Sequence, residues 1–255
     1  MKKIIPMRTL LIFIIISVGL TTSVRSQTVE EILDKYTEVT GGQENWDKIT
    51  SMKIMGTAKL VSQNMELPMT RILMKDGRQY TSLLINGMSY VSIAYDGKSA
   101  WGSNQEMNPE NKDQETTENL KRAIKEFPYP IHNWYENGFK AELLGTEEIN
   151  GVRTFKIKFI KDPILIEGKE KQNVMIYYIH TEKYVPILTE TEVMTGPSKG
   201  QVMKAFLEDY REVNGYWYPF LSTMKYGDQI FQVLQTENVE LNIKINDNVF
   251  KMPMG

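Results

Sequence analysis

The chain of 255 residues contains no cysteine, which removes disulfides, zinc–cysteine sites and thiol nucleophiles in one step. Histidine is nearly absent too. The two present, His132 in "PIHNW" and His180 in "YYIHTE", have no second histidine at i+3 or i+4 and read as structural or surface residues, so neither a metal nor another cofactor is expected. Positive charge is not in excess: 30 Lys and Arg stand against 32 Asp and Glu, a net charge of −2. Nucleic-acid binding asks for a basic stripe, so no nucleic-acid partner is expected. Phosphate-cradling glycine loops leading from a strand into a helix are missing as well. With no Gly/Ser-rich linker, low-complexity tract or repeat to divide it, the chain reads as one domain.

One short motif invites a catalytic reading. "GPSKG", Gly196 to Gly200, fits the G-x-S-x-G pattern of serine hydrolases. In those enzymes the serine sits on a strand-to-helix turn and the histidine follows it in the chain. Here both histidines precede Ser198, and the flanks "TETEVMT" and "QVMKAFLEDY" alternate with a period of two. The motif therefore reads as a loop between strands. The Glu147-Glu148 pair beside a turn reads as solvated, and the aromatic run "YWYPF" from Tyr216 to Phe220 as bracing of a sheet. No catalytic constellation remains, and the protein is not expected to be an enzyme.

The first 26 residues stand apart. Lys2, Lys3 and Arg8 form a basic start, Leu10 to Leu20 an apolar run, and Val24 and Ser26 occupy the −3 and −1 positions of a cut before Gln27. This is the pattern of a secretory signal peptide. A spanning anchor needs about 20 apolar residues, and Arg8 blocks extension of the run. A lipoprotein would need a cysteine at the cut. Release into the periplasm as a soluble monomer is therefore the expectation. Cleavage would remove Lys2, Lys3, Arg8 and Arg25, moving the net charge from −2 to −6, and leave 27–255 as a single domain.

Beyond the leader, Thr28 and Glu31 form a T-x-x-E capping box, and Val29, Ile32, Leu33, Tyr36 and Val39 recur at helical spacing until Gly41-Gly42. A short turn around "ENWDKI" offers Trp46 and Ile49 to the same core. From Met52 the period becomes two: Met52, Ile54, Gly56, Ala58 and Leu60 share one face, and Met65, Leu67, Met69 and Leu73 share the next. Hairpin turns are signalled at Asn86-Gly87, Asp96-Gly97, Asn150-Gly151, Thr181 to Lys183 and Asn214-Gly215. A second helix, Glu118 to Phe127, interrupts the strands with a stripe of Leu120, Ala123, Ile124 and Phe127 and stops at Pro128. The fold class is mainly β with α (α+β), with about ten or eleven antiparallel strands that must curl into a barrel or strongly bent sheet.

Such a sheet has a concave face that two helices either fill or leave partly hollow. Of 15 methionines only Met1 and Met7 lie in the leader, and many of the rest fall on strand faces. Methionine walls adapt to flexible apolar guests, though each such residue also serves as ordinary core filler. The candidate lining of an apolar cavity is Ile54, Ala58, Met65, Leu67, Met69, Leu73 and Met203 from strands, with Leu120, Ile124 and Phe127 from the second helix acting either as a lid or as a permanent plug.

Three further stretches carry a resemblance. "IAYDGKSAWGSNQ" (Ile93 to Gln105), "YYIHTEKYVPIL" (Tyr177 to Leu188) and "DNVFKMP" (Asp247 to Pro253) are similar, in this order, to elements of the outer-membrane lipoprotein-sorting (LolA-like) family. What the resemblance implies is an unclosed antiparallel β-barrel with helices covering its concave face. Its cavity would shelter the acyl chains of a lipid or lipoprotein across the periplasm, between envelope membrane proteins acting as donor and acceptor. A second family of this fold comprises lipid-binding and stress-sensing envelope proteins, so a sensor or scaffold with a protein partner is the alternative. The sequence departs from the carriers at their Lys-Arg-Pro step, which falls on Met74-Lys75-Asp76-Gly77: Asp76 stands where their arginine is associated with ligand handling. The likeness thus speaks for an apolar ligand more than for lipoprotein transfer itself.

Overall fold

The computed structural model describes residues 27–253, and the expected leader over 1–26 lies outside them. Helix α1 (Val29–Val39) opens on the expected capping box: the Glu31 N–H donates to the Thr28 hydroxyl at 3.2 Å, and the Thr28 N–H donates to the Glu31 carboxylate at 3.0 Å. Helix α2 (Gln43–Asp47) follows after two glycines and buries Trp46. Trp46 and Ile49 do not join the core of α1. They form a separate cluster with Tyr216, because α2 lays the Trp46 ring 5.2 Å from that tyrosine.

The remainder is one antiparallel sheet of thirteen strands. Strands β1 (Ser51–Leu60), β2 (Met65–Met74), β3 (Gln79–Ile85), β4 (Met88–Tyr95), β5 (Ala100–Ser103) and β6 (Pro109–Asn111) meander away on one side of β1. Strands β7 (Lys140–Ile149), β8 (Val152–Ile166), β9 (Lys169–His180), β10 (Pro186–Glu192), β11 (Val202–Val213), β12 (Tyr216–Tyr226) and β13 (Gln229–Leu241) meander back, and β13 pairs with β1. The count exceeds the expected ten or eleven. One strand the sequence conceals is β6, whose three residues are all exposed and carry no apolar alternation.

The barrel does not close. Its free edges are β6 and β7, and the segment joining them carries α3 (Gln114–Arg122), continued by a 3-10 turn at Ala123–Glu126. The helix begins four residues before the expected Glu118 because Asp113 caps it, its carboxylate accepting from the Thr116 N–H at 2.6 Å. It ends at Phe127, which is extended (φ −79°, ψ 140°) ahead of Pro128.

Residues directly opposed across antiparallel strands share a face, and this places the core. On the concave face α1 buries Ile32, Leu33 and Tyr36 against Phe155, Ile157 and Phe159 of β8 and Tyr177 and Ile179 of β9. A second cluster joins Met52, Ile54 and Ala58 of β1 to Met69, Phe220 and Val239. The convex face of β3–β5 is sealed by the C-terminal tail. There Val91, Ala94 and Trp101 cluster with Tyr80, and the Trp101 indole N–H donates to the Phe250 carbonyl at 2.8 Å. Arg78 lies 5.1 Å from the Phe250 ring and pairs with Asp247 at 2.6 Å and Asp76 at 2.8 Å. Two stretches of the family resemblance, around Trp101 and Phe250, are thereby brought into direct contact.

Candidate functional site

Strand alternation sets the wall of the site. On β1 and β2 the opposed pairs Met52/Leu73, Ile54/Arg71, Gly56/Met69 and Ala58/Leu67 all face the hollow. Where α3 and its 3-10 extension cross this wall a cavity of about 280 Å³ remains. It is lined by Met52, Ile54 and Leu73 from the sheet, Leu120, Ile124 and Phe127 from the helical segment, and Tyr129 and Tyr218 deeper in. The volume falls just below the usual range of ligand pockets, about 300–1,000 Å³.

Five of the ten sequence-predicted residues meet at this cavity: Ile54, Leu73, Leu120, Ile124 and Phe127. Ala58 and Met69 are buried in the adjoining cluster, which shares Met52 and Ile54 with the cavity wall. Leu67 is buried opposite Ala58, and Met65 stands half-buried opposite Leu60 at the end of the same row. Met203 lies apart on β11, opposite Thr191 and Tyr226. The sequence reading missed Met52, Arg71, Tyr129 and Tyr218 as lining. For Arg71 the signal was there: it is two residues from both Met69 and Leu73, so alternation puts a charge in the apolar phase of the strand.

The covering segment is held unequally on its two sides. Towards β8 and β9 the attachments are polar. The Asn119 amide exchanges two hydrogen bonds with the backbone of Leu165, at 2.8 and 2.7 Å, and Arg122 donates to the Pro163 carbonyl and pairs with Glu170, both at 2.9 Å. Glu126 pairs with the nearly buried Lys161 at 2.6 Å, and Lys125 with Asp162 at 2.9 Å. Towards the β2–β3 turn the contact is apolar: Ile124 packs so closely on Gly77 that a Cβ there would stand 2.3 Å from the isoleucine Cγ1. The segment is thus clamped to one wall and rests on the other. Opening starts where attachments are fewest, here the apolar contact on Gly77.

The polar groups at the cavity have distinct states. Burial pushes the Tyr129 phenol far up and raises that of Tyr218, so both are neutral donors at ordinary pH. Nearby, His132 is buried with Nε2 3.1 Å from Asp47, and burial holds its pKa down against the pull of that carboxylate. Its Nδ1 and the Trp46 indole N–H lack partners among the described residues, and the two rings lie 5.8 Å apart. His180 has another task, its Nδ1 accepting from the N–H groups of Glu182 and Lys183 in the β9–β10 turn. Gly196 to Gly200 connects the antiparallel pair β10 and β11, so Ser198 sits in a hairpin loop.

A wider groove, about 1020 Å³, lies where the β7–β8 and β9–β10 turns meet the end of α1. It mixes Val39, Val185, Phe206 and Trp217 with Glu182, Lys183, Glu208 and Asp209, and none of the ten predicted residues borders it. The smaller cavity is the stronger candidate because it lies on the concave face beneath an element of unequal attachment.

No family model and no curated relative matches the sequence. Solved structures do match in shape. A LolA superfamily protein from Nitrosomonas europaea is 12% identical with a TM-score of 0.55, covering 89% of this chain and 98% of its own. A DUF1329 family protein from Desulfovibrio piger is 13% identical with a TM-score of 0.54 and the same coverage. A domain from Vibrio parahaemolyticus named for outer membrane lipoprotein sorting is 12% identical with a TM-score of 0.53, covering 86% of this chain and 94% of its own. Together with the unclosed sheet and the helical segment bridging its edges, these likenesses give the chain the fold of the LolA-like lipoprotein-sorting proteins.

Proposed function

We propose that the protein is a non-catalytic carrier that shelters the hydrocarbon chain of a lipid or lipoprotein in the cavity beneath α3, acting in the periplasm after removal of its leader. The observation that carries this reading is the lidded cavity itself, with the apolar side chains of Ile54 and Leu73 on its floor and Leu120 and Ile124 on its cover. Burial of hydrocarbon is worth about 0.8 kcal/mol per methylene, so an acyl chain crosses water slowly unless something shields it. The methionine-rich concave face and the one-sided attachment of the cover support uptake by displacement of the lid. Its cargo would pass between donor and acceptor proteins of the envelope membranes. The alternative, a sensor or scaffold that binds a polypeptide, gains support from the wide groove with its exposed Trp217.

Titration of the delipidated mature protein with a fluorescent fatty acid tests the proposal. Saturable, equimolar uptake that unlabelled fatty acid displaces is the expected result. Unsaturable partitioning, or no signal, would refute the carrier reading.

A further inference from the structure

Arg71 is a charged side chain set into an otherwise apolar row of β2 at the cavity. It stands on β2 opposite Ile54 and Thr81, in the inward row of Leu67, Met69 and Leu73, and it lines the cavity with Ile54, Leu73 and Tyr218. Its positive charge reaches the Tyr218 phenol, drawing it down against the larger upward effect of burial. Unlike those three apolar residues of its row, Arg71 is solvent-exposed, so its guanidinium lies where the hollow meets water.

The other arginines near packed surfaces are spoken for. Arg78, Arg122 and Arg211 each hold a carboxylate at 2.6 to 2.9 Å. Arg71 has neither an ion-pair nor a hydrogen-bond partner among the described residues, whereas the other charged groups lining the space are paired, Arg78 with Asp76 and Asp247 and Glu126 with Lys161, and Tyr218, Tyr129 and Gln79 are neutral. A cation on an apolar wall is disfavoured unless it stays hydrated or meets an anion. A guanidinium presents a planar fork that matches a carboxylate or phosphate with two parallel hydrogen bonds.

We infer that Arg71 is the headgroup site of the cavity, and that the ligand is an amphiphile with a single hydrocarbon tail and an oxyanionic head, carboxylate or phosphate. The tail lies against Ile54, Leu73, Leu120 and Ile124, and the head stays at the hydrated mouth on Arg71. This deepens the carrier reading and rests on it. It names a ligand chemistry that the strand alternation alone does not, since Met69 and Leu73 on either side give an apolar row.

Three probes of equal chain length separate the possibilities: dodecanoate, dodecyl phosphate and the uncharged 1-dodecanol, each titrated calorimetrically into the mature protein and into Arg71→Gln and Arg71→Lys. The anions are expected to bind about tenfold more tightly than the alcohol. Arg71→Gln should abolish that advantage with the melting temperature unchanged, and Arg71→Lys should retain part of it. A preference for one anion over the other assigns the head as carboxylate or phosphate, and added salt should weaken both. Equal binding of all three, unaltered in Arg71→Gln, overturns this assignment and leaves the carrier reading standing. Failure of all three to bind overturns both.

Discussion

Gly56→Val is expected to destabilise the fold by about 3–5 kcal/mol. A Cβ at this position would stand 2.1 Å from the Gln235 carbonyl oxygen and 2.9 Å from the Thr236 Cα, and both are backbone atoms that have no rotamer to retreat into. Gly56 sits at the register shift where β1 meets β13, the seam that joins the two meanders into one sheet. A bulge and a glycine at such a point bend the sheet by letting one strand lean over its neighbour. Overpacking in a core costs about 1–3 kcal/mol where side chains can shift. Here ladder hydrogen bonds must break as well, so about 3–5 kcal/mol is expected, a large part of a typical domain stability of about 5–15 kcal/mol. Thr57→Ser, one residue on, keeps the hydroxyl that donates to Glu237 at 2.9 Å; it is the control and should cost less than about 1 kcal/mol. Urea denaturation of the two variants decides the matter. A Gly56→Val midpoint close to wild type would mean that the seam is looser, and the curvature less fixed, than described.

The second large effect concerns the cover. Leu120→Glu combined with Ile124→Glu puts two carboxylates over the cavity floor of Ile54 and Leu73. Losing contact with about three methylenes at 0.8 kcal/mol each removes about 2.4 kcal/mol of binding, close to fiftyfold in affinity. Neither residue is fully buried, and the clamps through Asn119, Arg122 and Glu126 remain, so the melting temperature should change little. Fatty-acid titration and thermal melts of the same preparation separate the two effects. Unchanged uptake would show that the segment from Gln114 to Glu126 is a plug and that the ligand site lies elsewhere.

The sequence made some of this legible because the relevant signals are local. The capping box at Thr28, the helical stripe of α1 and the left-handed asparagines Asn86, Asn150 and Asn214 (φ about 50°) depend on a few neighbouring residues. The alternation of β1 and β2 gave the cavity floor for the same reason. Other features depend on partners far along the chain. β6 carries no apolar pattern and exists only through its pairing with β5. β8 continues past Pro163 through a register irregularity between Lys161 and Ile164 that single-strand patterns do not reveal. Trp46 looked like part of the α1 core and instead packs on Tyr216, a residue 170 positions later. The departure at Asp76 also acquires a physical account. Arg78 in that turn is committed to Asp76, Asp247 and the Phe250 ring, where it secures the C-terminal tail.

Whether the hollow under α3 shelters hydrocarbon in the cell is answered most directly by what the protein carries when it leaves its native envelope. Mature protein isolated without detergent from cells that make it naturally can be extracted with organic solvent, and the extract quantified by mass spectrometry against the amount of chain. The account predicts an equimolar amphiphile with a single tail and an acidic head. An extract free of acyl species, from protein that retains a tightly bound polypeptide, would contradict it.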